Sequence, residues 1–183
     1  TYSNIEYIII DGASTDNTVD IIKKYQHQIS IFLSEPDNGI YDAMNKGIDM
    51  ATGDIIGILN SDDFYSDDRV IEQIVNKFND KNVDSVFANL LYVNSKNLNK
   101  AVRFFDSSQF NPDLFSYGLM PAHPTFFVKK SIYKKYGNFR TDLKIAADFD
   151  LMARFLYLNR VTYCYFDKVI VVMRMGGIST SFS

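Results

Sequence analysis

The stretch 54–68, DIIGILNSDDFYSDD, decides how this chain folds. Its apolar run, Ile55 to Leu59, stops at Asn60-Ser61-Asp62-Asp63. A short Ile-rich run bounded by polar turn residues reads as a buried strand over 54–59. Asp67 or Asp68 then opens a helix with Val70, Ile71, Ile74, Val75 and Phe78 turned inward. The question is why two adjacent carboxylates stand at the end of a buried strand.

The same unit occurs twice upstream. Residues 5–10, IEYIII, read as a strand, followed by the turn Asp11-Gly12-Ala13-Ser14-Thr15-Asp16. A helix over about 17–27 follows, capped by Thr15 or Asp16. ISIFL, 29–33, is the next strand. Residues 39–54 then read as a helix with Ile40, Met44 and Ile48 on one stripe, small residues beside them and Gly53 as its stop. Three strand–helix alternations predict an α/β fold: a Rossmann-like, mostly parallel mixed sheet with helices on both faces. Ligands in such sheets bind at the carboxyl ends of the strands, where Asp11 and Asp62-Asp63 both lie.

From residue 84 the pattern changes. DSVFANLLYVN and KAVRFF read as two strands joined by a polar turn. HPTFFVKK leads from a strand into a short helix closed by Gly137, and 148–158 form a helix with Leu151, Met152, Phe155 and Leu156 inward. VTYCYF and KVIVVM read as late strands. No repeat or linker divides the chain, which predicts one domain.

Composition narrows the function classes. The chain has 183 residues, 46% of them hydrophobic, enough for a core of ordinary domain size. With 19 basic and 22 acidic residues, the net charge of −3 carries no electrostatic footprint for nucleic acid. Cys164 is the single cysteine, so neither an internal disulfide nor a cysteine metal site is available, which fits a reducing compartment. No apolar run reaches the roughly 18–20 residues that span a bilayer. Serine-nucleophile, zinc-protease, P-loop and dinucleotide-binding motifs are all absent.

Each candidate site residue has a plain structural reading beside a chemical one. Asp62 and Asp63 are hard oxygen ligands suited to Mg²⁺ or Mn²⁺, and equally the sort of residue found in a turn before a helix. Local turn chemistry accounts for Asp11 by itself. Glu35 sits in a Pro-Asx-Gly loop that is also an acidic lip of the crevice. Asp42 and Asn45 fall on the polar face of their helix, with Asp42 spaced to pair with Lys46. Asp148 stands in the first turn of a helix, where the dipole favours a carboxylate and where a general base could also face the crevice. Asp150 and Arg154 are spaced as an ion pair. His123, between two prolines, reads as a packed side chain.

In combination the order is specific. IEYIIIDGASTDNTVDII, SEPDNGIYDAMNKGIDMATGD, IIGILNSDDF, HPTFF and AADFDLMARF together resemble family 2 glycosyltransferases of the GT-A fold, of the bacterial polysaccharide-building type, over nearly the whole chain. The resemblance implies an inverting enzyme that uses a nucleoside-diphosphate sugar, with uridine as the base, and a saccharide or lipid-linked acceptor, working in the cytoplasm at the inner membrane face. It implies that Asp11 contacts the base, that Asp63 binds a divalent Mn²⁺ or Mg²⁺ with Asp62 at the ribose or the metal's water shell, that Glu35 and Asp42 line the donor side, and that Asp148 is the catalytic base. It further implies a domain lacking the family's first strand and helix, with residues 1–80 as donor half and 81–183 as acceptor half. Many members read D-x-D-D where this chain has Asn60-Ser61-Asp62-Asp63, which moves the metal burden onto Asp63. A nucleotidyltransferase using similar carboxylates and a non-catalytic binding module are the competing readings. Oligomeric state is open.

Overall fold

The computed structural model describes residues 2–176. In chain order the elements are β1 (Ile8–Asp11), α1 (Thr18–Lys24), a 3₁₀ turn (Gln26–Gln28), β2 (Ile31–Ser34), α2 (Ile40–Met50), β3 (Ile55–Ile56), β4 (Phe64–Tyr65), α3 (Val70–Lys81), β5 (Ser85–Asn94) and β6 (Asn97–Phe105). Two 3₁₀ turns (Pro112–Tyr117, His123–Thr125) lead to β7 (Phe127–Lys129) and α4 (Lys130–Tyr136). Then come α5 (Ala147–Met152), a π-helical turn (Ala153–Leu158) and β8 (Tyr163–Arg174).

The centre is β5. It pairs in parallel with β8 on one side, and antiparallel with β7 and β6 on the other. Successive side chains of a strand point to opposite faces. Val86, Ala88 and Leu90 therefore meet Val70, Ile74 and Phe78 of α3, while Phe87 faces Leu151, Met152, Phe155 and Leu156. Helices cover both faces, as the alternation predicted.

The sheet is mixed, and its pairing is less parallel than that alternation suggested. β1 and β2 pair in parallel, with Asp11 opposite Ser34, but as a separate two-stranded sheet among the described residues. The expected strand 54–59 contributes only Ile55–Ile56, antiparallel to β7. Gly57 marks where it leaves the ladder: the Phe127 ring lies against it so closely that a Cβ there would overlap the ring. The two late strands are one, β8, whose register against β5 shifts around Asn89. Asp167 and Lys168 lie within it, and both side chains find partners. Asp167 accepts from the Tyr165 hydroxyl, and Lys168 reaches Asp67 and Gln73.

Helix ends differ in instructive ways. α2 stops at Met50, before Gly53, and the Glu6 carboxylate takes the N–H groups of Thr52 and Gly53 beyond it. The predicted helix 148–158 begins at Ala147 and loosens into a π turn after Met152. Among the described residues no helix is long and apolar enough to cross a membrane.

Candidate active site

Asp63 is the most unusual carboxylate in the molecule. It sits in the loop between β3 and β4 and is 8% exposed, while Asp62 beside it is open to solvent. One Asp63 oxygen, Oδ2, accepts from the Asn60 side chain at 3.2 Å. Among the described residues the other, Oδ1, is buried without any partner. Burial pushes the Asp63 pKa up; the Asn60 bond opposes this, the Asp62 charge adds to it, and the backbone and guanidinium of Arg174 oppose it. Arg174 stands at the end of β8, over the Phe64 ring. A buried, half-satisfied carboxylate beside an exposed one fits a hard divalent cation, which would occupy the orphaned oxygen. Among the described residues no group of three or more His, Cys, Asp or Glu side chains is placed to hold a metal ion.

Asp11 closes β1 and is 6% exposed. Its carboxylate accepts from the Ser14 amide and hydroxyl and from the Ser34 hydroxyl on β2. Burial acts to raise its pKa, but these bonds and the Ala13 amide outweigh it and hold the carboxyl below its ordinary value. The turn reading of Asp11 is thus realised in full.

Glu35 and Asp42 are drawn together by Lys46, at 2.9 Å and 3.8 Å. The expected Asp42–Lys46 pair is present, but Glu35 is the nearer partner. Asp42 also accepts from the Asn38 amide at 2.9 Å, which ties down the loop before α2. That loop packs on the first turn: Asp37 lies where a Cβ of Gly12 would be. Asn45 does not face solvent as its polar helix face suggested. It makes a reciprocal pair with the Phe139 backbone, giving to its carbonyl and accepting from its N–H at 2.9 Å each.

Asp148 stands in the first turn of α5, which follows Ala146 at φ 66, a left-handed conformation that costs a non-glycine residue strain. Its Oδ1 accepts from the Tyr41 hydroxyl at 3.3 Å and from the Phe149 amide at 2.9 Å. Burial and the Asp148 charge both push the Tyr41 pKa up, so the phenol stays protonated at neutral pH. His123 is the other titratable neighbour: burial lowers its pKa and the Asp148 charge works against that. As expected, His123 is a packed ring, edge-on to Phe139 at 5.7 Å. The predicted Asp150–Arg154 pair forms at 3.0 Å, and Arg154 also holds the carbonyls of Tyr136, Gly137 and Asn138. A cleft of about 240 Å³, lined by Ile40, Tyr41, Asp42, Thr141, Leu143 and Lys144, opens beside this group.

The structure therefore brings together Asp62, Asp63 and Arg174 in one place, Glu35 and Asp42 in a second, and Asp148 with Tyr41 and His123 in a third. α2 joins the last two, since Tyr41 and Asp42 are neighbours in its first turn. Asp11 is held by its own loop and by β2. Sequence reading missed Asn60, Arg174 and Tyr41 as members of these groups. Only Asn60 left a signal, its place beside the two carboxylates.

Comparison with known proteins agrees with this architecture. The profile described as Glycosyl transferase family 2 matches residues 1–137, which include every candidate carboxylate except Asp148. A glycosyltransferase of Rickettsia typhi without a characterised activity is 30% identical over 99% of this chain and 58% of its own length. A PGL/p-HBAD biosynthesis glycosyltransferase of Mycobacterium bovis is 25% identical over 99% of this chain and 70% of its own. Residues 1–349 of S. aureus TarS, crystallised with UDP-GlcNAc, superpose with a TM-score of 0.76 at 19% identity, over 97% of this chain and 52% of that one. That likeness establishes the GT-A fold. The chain spans little more than half the length of the Rickettsia relative and of this structure. On the family profile, which matches well over half of its residues, the chain belongs to glycosyl transferase family 2.

Proposed function

We propose that this chain forms the transferase domain of an inverting enzyme that moves a hexosyl group from a UDP-sugar to a saccharide or lipid-linked acceptor in cell-surface polysaccharide synthesis. It works in the cytoplasm against the inner membrane face. Residues 1–80 serve the donor, and 81–183 serve the acceptor and carry the base. The observation that carries this reading is Asp63, a buried carboxylate with an orphaned oxygen inside the stretch that matches the family. The fold shared with a protein crystallised with UDP-GlcNAc supports a UDP-sugar as donor.

Asp63 and Asp62 would hold a Mn²⁺ or Mg²⁺ ion, which when bound neutralises the charge that develops on the departing diphosphate. Asp11 orders the turn at the nucleotide side, where its carboxylate would also accept from a base N–H. Glu35 and Asp42, bridged by Lys46, shape the donor-side lip. Asp148 takes the proton of the acceptor hydroxyl as that oxygen attacks the anomeric carbon. The bond from that carbon to the diphosphate oxygen breaks, and the electron pair leaves with the diphosphate. One displacement from the opposite face inverts the centre with no covalent glycosyl-enzyme.

The test uses the full-length protein. Mn²⁺ and UDP added together should raise its melting temperature by more than the two separate shifts combined, and Asp63→Ala should abolish that excess. A panel of UDP-sugars should contain one that is turned over. Asp148→Asn should cut that turnover by about 10²–10⁴-fold with UDP affinity unchanged. No joint shift in the wild type, or full turnover by Asp148→Asn, would sink the corresponding half of the proposal.

A further inference from the structure

We infer that Tyr41 is a positioning residue for Asp148, its hydroxyl tying down one carboxylate oxygen so that the other is presented to the acceptor. The inference rests on the reading of Asp148 as the base. The two residues are 107 positions apart in the chain and meet only through the fold. Asp148 Oδ1 receives two bonds, one from Tyr41 and one from the Phe149 amide. Among the described residues Oδ2 has no hydrogen-bond partner. With Oδ1 held from two directions, rotation of the carboxylate is restricted and Oδ2 has one orientation in which to meet a hydroxyl. Orientation of this kind is worth more to a reaction than to binding, because it acts on the encounter of reacting atoms.

Tyr41 is itself held. Its ring stacks on Phe139 with centroids 5.6 Å apart and planes inclined by 19°. Asn45, one turn along the same helix, clamps the Phe139 backbone through two hydrogen bonds. His123 also packs on Phe139, edge-on with centroids 5.7 Å apart. Tyr41 lines the cleft between α2 and residues 141–144, so the hydroxyl stands where that cleft approaches Asp148.

The substitution Tyr41→Phe keeps the ring and its stack and removes only the hydroxyl. With the UDP-sugar found in the panel and water as the acceptor, Tyr41→Phe should lower kcat by about tenfold with donor KM unchanged. UDP affinity by calorimetry and melting temperature should stay at wild-type values. Tyr41→Leu, which loses the stack as well, should lower kcat further and also lower the melting temperature. Wild-type kcat in Tyr41→Phe, while Asp148→Asn is inactive, would overturn this inference and leave the base assignment standing. Loss confined to UDP affinity would overturn it too, by placing Tyr41 on the donor. Full turnover by Asp148→Asn would instead overturn the base assignment and this inference with it.

Discussion

Asn60 gives its side-chain amide to Asp63 Oδ2, and among the described residues Asp63 Oδ1 is buried without a partner. Asp63 thus carries a raised pKa in the folded state. A carboxyl raised on folding contributes stability that is fully present below its unfolded pKa and is lost as pH rises through the folded one. Near neutral pH, ionised Asp63 therefore costs stability. Asp63→Asn should raise the melting temperature there. The gain should shrink in acid, below the ordinary aspartate value. A thermal series over pH, with and without Mn²⁺ plus UDP, checks both this and the loss of the joint shift.

Asp11 has the opposite sign. Its lowered pKa means that its contribution is present above the unfolded value and is lost as pH falls through the folded one. Asp11→Ala strands the Ser14 amide and two serine hydroxyls that now give to it, and should cost about 2–3 kcal/mol near neutral pH. Urea unfolding at a series of pH values should show the variant losing less stability in acid than the wild type does.

Asn45 acts as a strand-like clip between α2 and Phe139. Asn45→Ala removes both bonds and should cost about 2 kcal/mol. Asn45→Asp keeps the acceptor for the Phe139 amide but sets a carboxylate against the Phe139 carbonyl, and should cost at least as much. Midpoint shifts in urea with an unchanged slope would confirm a loss of native contacts rather than a change in the unfolded chain.

Gly57 is required by Phe127, whose ring occupies the space of a Cβ at that position. Gly57→Ala should cost about 1–3 kcal/mol through overpacking. Adding Phe127→Leu should cost less in the Gly57→Ala background than in the wild type, a coupling that a double-mutant cycle on unfolding free energies measures directly.

Much of the fold was legible because it rests on periodicity. α3 was readable from Val70, Ile74 and Phe78, a stripe that meets one surface, and β5 from its continuous apolar run, since it is covered on both faces. β3 was not. Its apolar run is longer than its ladder, because Phe127 crowds Gly57 and only two residues can pair with β7. β8 was read as two strands because Asp167-Lys168 resembles a turn. The partners of those two side chains, Tyr165, Asp67 and Gln73, are mostly remote in the chain.

The site divides along the same line. The order of Asp11, Glu35, Asp42, Asp62, Asp63 and Asp148 was in the sequence, and so was the family, because local motifs carry both. What each carboxylate experiences was decided by tertiary contacts. Ser34 crosses from β2 to saturate Asp11, Arg174 arrives from the end of β8 beside Asp63, and Tyr41 reaches Asp148 from α2. Residue type and spacing determine which groups a chain has and which element holds them. Hydrogen bonding, burial and charge at a given atom depend on neighbours far away in sequence, and only the packed structure brings those neighbours within reach.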